Sequence, residues 1–97
     1  MDDVREVRRV LAEAATGHRA IRYQRHARDR MLQRGVTTDD LLYVLDHPRC
    51  IEPQEVDLSG EKKFRVEGRD ADGRQLAVVV VVPTDQGELR IITVVTP

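Results

Sequence analysis

His26, Arg30 and Arg34 follow one another at intervals of four in the stretch RYQRHARDRMLQRGV, residues 22–36, which holds five arginines and a single acid, Asp29. On a helix, residues four apart share a face, so the three form one polar stripe, and Ala27 with Met31 forms the adjacent core-facing one. The chemistry open to such a stripe is phosphate chemistry. A guanidinium is permanently charged and grips phosphate with two parallel hydrogen bonds, and an imidazole exchanges protons near neutral pH. Cleavage of RNA by its own 2′-hydroxyl needs a base for that hydroxyl, an acid for the leaving oxygen and cations for the charge that builds on phosphate. His26, Arg30, Arg34 and Arg65 are the candidate catalytic set, with Lys63, Arg22 and Arg90 as candidate substrate-binding cations. The set needs no metal and no cofactor.

A plainer reading uses the same residues. Arginines are common on solvated helix faces, His26 can pack beside a strand at 21–24, and Arg30 or Arg34 can pair with Glu52, Glu55 or Asp57. Spacing alone favours this alternative. Arg25 and Arg28 fall off the stripe and are expected in solvent. His18, His26 and His47 form no HxxxH pattern, and neither phosphate-cradling glycine loops nor a nucleophile elbow occurs. Cys50 is the one cysteine, which rules out an internal disulfide and reads as an ordinary half-buried thiol.

The elements that must position these residues divide the chain by hydrophobic period. Val4, Val7, Val10, Leu11, Ala14 and Ala15 give an amphipathic helix over 2–15, with Asp2 and Asp3 at its positive end and Gly17 beyond its end. Residues 19–24 alternate as a short strand, and HARDRMLQRG is a helix ended by Gly35. Thr37 and Asp40 form a capping box for the next helix, and Val36 and Leu41 its hydrophobic staple. Pro48 ends that helix near Asp46. Strands follow at 50–56, KKFRVEGR, RQLAVVVVVP and ELRIITVVT, joined by turns at DADG and PTDQGE; Pro53 suits an edge, and the valine run suits a strand buried on both faces. The fold class is α+β: N-terminal helices on one face of a mostly antiparallel sheet of four to five strands. A single domain spans 1–97, with 1–17 as an added helix on a core of 18–97.

Composition narrows the function. An apolar fraction of 40% and a charged fraction of 34% suit a globular domain. The charged N-terminus does not read as a signal peptide, and LAVVVVVP is too short to span a bilayer, so a cytoplasmic protein with no membrane partner is expected. A net charge of −1 argues against broad nucleic-acid binding, so any RNA-directed role rests on a local patch.

The segment HARDRMLQRGVTTDDLLYVLDHP, with strands ending in RIITVVT, resembles a family of small bacterial domains with the pattern HA-x-x-RM-x-x-RG, related to the RelE/ParE-like toxin superfamily and its BrnT relatives. His26, Ala27, Arg30, Met31, Arg34, Gly35, Val36, Thr37 and Asp40 carry the resemblance, which runs over 20–96. It implies a compact sheet domain acting as the toxin of a toxin–antitoxin pair. Such a toxin cleaves mRNA without a metal, often on the ribosome, and is silenced by a cognate antitoxin protein. The second hypothesis is a non-catalytic interaction module or degenerate toxin of the same fold. The N-terminal helix or an exposed sheet edge also offers a route to a homodimer.

Overall fold

The apolar stripe of the first helix sets the layering. In α1 (Val4–Ala15) the buried side chains are Val7, Val10, Leu11 and Ala14, spaced three or four apart so that one face meets the core. The helix ends where Gly17 turns left-handed at φ 86° and the His18 amide donates to the Glu13 carbonyl at 2.7 Å. The computed structural model describes residues 4–54, 60–83 and 87–97; the helix-start acids Asp2 and Asp3, the pairing candidates Glu55 and Asp57, and part of the PTDQGE turn lie outside them.

β1 (Ile21–Tyr23) leads through Gln24 into α2 (Arg25–Arg34). α2 stops at Gly35, where φ is 63°, and the Val36 amide reaches back to the Met31 carbonyl at 2.8 Å. These turns satisfy carbonyls that the helix end leaves open. α3 (Thr38–Asp46) starts on a complete capping box: the Thr37 hydroxyl accepts from the Asp40 amide at 3.1 Å, and the Asp40 carboxylate accepts from the Thr37 amide at 2.9 Å. Pro48 follows its end as expected.

The strands are β2 (Cys50–Pro53), β3 (Lys62–Arg69), β4 (Gln75–Val82) and β5 (Leu89–Val95). They form one five-stranded sheet in the order β1-β5-β4-β3-β2, antiparallel except where β1 lies parallel to β5. The expected α+β class is therefore present, and the short first strand becomes the parallel edge beside the last. Phe64 and Val66 of β3, Leu76, Val78, Val80 and Val82 of β4, and Leu89, Ile91 and Val94 of β5 join helix residues in a single buried cluster. The helices thus cover one sheet face. The valine-rich β4 is central and buried along almost its whole length, as its two-sided apolar pattern predicts.

On the other face, register stacks side chains in cross-strand rows. One row runs Cys50, Glu67, Ala77, Val95; the next Glu52, Arg65, Val79, Thr93; the third Lys63, Val81, Arg90, Arg22. A bulge between Val79 and Val80 lets Ile92 slip out of the pairing, so Thr93 and Arg90 project from the same face although three residues apart.

Candidate functional site

The parallel pairing of β1 with β5 sets Arg22 directly beside Arg90. Like charges side by side in a sheet repel. Each has a carboxylate at hand: Glu61 takes Arg90 through both of its oxygens, one at 3.3 Å, and Glu88 lies 3.8 Å from Arg22. The Arg90 Nε is buried and without a hydrogen-bond partner among the described residues.

α2 then carries the stripe along β5. Its buried residues are Ala27 and Met31, which turns His26, Arg30 and Arg34 to the rim, as their spacing predicts. The three line one concavity of about 250 Å³ with Thr93, Val94 and Val95 of β5. His26 also lines a second, of about 550 Å³, with Arg22, Tyr23, Gln24, Arg25 and Arg90. His26 is therefore the shared wall of two neighbouring concavities, with five arginines distributed between them.

These arginines differ in how far they are neutralised. Arg22 and Arg90, on the sheet, have the carboxylates just described. Arg25, Arg30 and Arg34, on α2, have no carboxylate partner among the described residues; Arg30 donates only to the Gln33 amide oxygen, at 3.4 Å. The pairing of Arg30 or Arg34 with Glu52 does not form. Excess positive charge thus concentrates on the helix side of the cleft, where an anion would meet guanidinium groups that need not break an ion pair.

Arg25 is exposed, as its place off the polar stripe predicts. It nevertheless lines the larger concavity because α2 begins at the strand edge. The signal was its position next to the strand–helix junction at Gln24 and not its place on the helical wheel. Arg28 lies on the opposite flank of α2, beside an apolar groove with Tyr23, Met31, Leu32, Val36, Thr37 and Thr38. Burial pushes the Tyr23 phenol above its ordinary value, and a hydrogen bond from Thr38 partly offsets this.

The structure does not bring every candidate together. Lys63 and Arg65 do share one strand face, the face that carries Arg90 and Thr93. Arg65, however, stands two strands from Thr93, ~10 Å at ordinary strand spacing, and donates to Glu67 at 2.9 Å. Lys63 sits across β4 from Arg90 in the third row. Neither lines a concavity that contains His26 among those described.

Cys50, Glu52 and Glu67 bring sulfur and carboxylate oxygens within 4.8 Å of one another at the far edge of the sheet. Hydrogen bonds already occupy this group: the Cys50 thiol donates to Glu52 at 3.4 Å, and Arg65 holds Glu67. The hydrogen bond to Glu52, burial and the charges of Glu52 and Glu67 push the thiol above its ordinary value, against an opposing effect from Arg65.

Among the described residues no helix is long and apolar enough to cross a membrane. No curated protein matches the chain. Residues 23–96, from the end of β1 through β5 and so including His26 and all five arginines of the cleft except Arg22, match the family described as a domain of unknown function, DUF4258, and the chain belongs to that family.

Proposed function

We propose that the protein is the toxin of a bacterial toxin–antitoxin pair, a cytoplasmic, metal-independent endoribonuclease acting on mRNA at the His26 cleft. The observation that carries this reading is the exposed imidazole of His26 standing between two concavities lined by five arginines, three of them without a carboxylate partner among the described residues. In the reaction His26 takes the proton of the RNA 2′-hydroxyl. The 2′-oxygen then bonds to phosphorus, the bond to the 5′-oxygen breaks, and the imidazolium returns the proton to that leaving oxygen. Products are a 2′,3′-cyclic phosphate and a 5′-hydroxyl. Arg30 and Arg34 stabilise the charge on the phosphate oxygens, and Arg22, Arg25 and Arg90 hold the flanking chain. Arg65 acts on the sheet and not on the scissile phosphate.

The test is incubation of the purified protein with mRNA in EDTA, with and without ribosomes, beside expression in growing cells. Cleavage and growth arrest that vanish in His26→Ala support the reading. Intact RNA in both incubations with normal growth defeats it. A cognate antitoxin that covers the cleft should restore growth when co-expressed.

A second reading is favoured by one observation: among the described residues His26 is the only imidazole or carboxylate lining either concavity, so the cleft can bind phosphate without catalysing. In that case the protein is a non-catalytic module of the same fold, and His26→Ala leaves partner binding intact while the arginine substitutions abolish it.

A further inference from the structure

We infer that the cleft binds an internal stretch of single-stranded RNA by its backbone, with consecutive phosphates on both sides of His26; this rests on the RNA-directed reading above. A pocket for one terminal phosphate converges its cations on a point. Here they diverge. Arg22, Arg25 and Arg90 lie in one concavity, Arg30 and Arg34 in the other, and His26 is common to both. An α-helix rises 1.5 Å per residue, so His26, Arg30 and Arg34 step along α2 at intervals of ~6 Å. Cations stepping along a line suit a chain of phosphates. A chain that continues past His26 in both directions is bound away from its ends.

The walls also say which form of RNA fits. The smaller concavity lies between α2 and the end of β5, and a crevice between one helix and one strand admits a single strand more readily than a duplex, whose phosphates lie on a convex surface. Base stacking has little to work with. Among the described residues Tyr23 and His26 are the only aromatic rings lining either concavity; Phe64 is in the core, and Tyr43 of α3 stacks on His47, with ring centroids 4.4 Å apart. Recognition through phosphates and not through base edges gives affinity that is steeply salt-dependent and tolerant of sequence.

The experiment measures anisotropy of a fluorescent 2′-O-methyl oligonucleotide, which keeps the phosphates and lacks the nucleophile, against salt concentration. Arg25→Ala and Arg34→Ala remove one cation from each concavity without touching a described hydrogen bond of the fold; circular dichroism checks that both variants are folded. Each should weaken binding about tenfold, the size of one charge-assisted contact. Each should also reduce the slope of log K against log salt by about 0.7, one phosphate on a single strand. Oligonucleotides of permuted sequence should bind alike, and the annealed duplex should bind more weakly. Loss through only one of the two arginines, equal or tighter binding of the duplex, or full competition by inorganic phosphate acting on one concavity alone would overturn the inference while leaving an RNA site in place. If the folded protein binds no RNA of any form, the RNA reading falls, and this inference with it.

Discussion

The guanidinium of Arg74 donates to the backbone carbonyl of Arg34 at 2.9 Å and, through its other terminal nitrogen, to that of Gly35 at 3.0 Å. It reaches them from the β3–β4 hairpin, where Asp70, 5% exposed, holds it through Nε at 3.3 Å. A hairpin on the sheet thus closes the C-terminus of the helix that carries the candidate site, and places a cation where the helix dipole favours one. Arg74→Ala should destabilise the fold by about 2 kcal/mol, the loss of two hydrogen bonds to carbonyls and of a partner for a buried carboxylate. Arg74→Lys, which keeps the charge but not the fork, should fall between. Urea unfolding midpoints of the two variants check this.

Gly68 sits at a close approach of β3 to α3. A Cβ there would sit 3.2 Å from Val44 Cγ1 and 3.3 Å from the His47 carbonyl oxygen. Gly68→Ala should push α3 off β3 and cost about 1–3 kcal/mol, read as a lower Tm with unchanged helix content at low temperature.

Cys50 should react slowly. Its thiol donates to Glu52 and is held above its ordinary value, so less thiolate is present at a given pH. Alkylation by iodoacetamide at mildly alkaline pH should run severalfold slower than that of a small free thiol. Glu52→Gln should raise the rate, because it removes both the acceptor charge and its repulsion of the thiolate.

Acid stability should report Glu13. Arg19, almost buried, donates to this carboxylate at 2.8 and 3.1 Å and holds its pKa below the ordinary value, with Arg9 adding to the effect. A lowered folded-state pKa contributes stability that is present above the ordinary carboxylate value, about 4.3, and is lost as pH falls through the lowered one. Glu13→Gln should therefore be less stable than the parent at neutral pH, and the two should converge as the pH drops. A series of urea midpoints between neutral and acid pH tests the sign.

Local signals in the sequence located much of this. Thr37, Asp40, Gly35 and Pro48 mark the ends of α2 and α3 because caps are written in adjacent residues, and the period of four at His26, Arg30 and Arg34 is a property of the helix itself. What the sequence did not show depends on partners far along the chain. Nothing near Ile21 says that β1 pairs with β5, or that it does so in parallel. Arg74 gives no sign that it serves Arg34, and Arg65 gives none that it prefers Glu67 two residues away on its own strand face. Arg25 is exposed as expected, but its place in the larger concavity was hidden for the same reason: a helical wheel ranks residues around an axis and is blind to a concavity formed where the helix meets the sheet edge.

The β1–β5 pairing has a consequence in time. Arg22 is made early and Arg90 only with the start of β5, so the larger concavity closes only after β5 has been made and has found β1. α2 can form long before that from its own residues, carrying its arginines exposed and its cleft unbuilt. A chain whose β5 is not yet in place therefore displays the charge without the site, and the proposed reactivity waits for the pairing of β1 with β5.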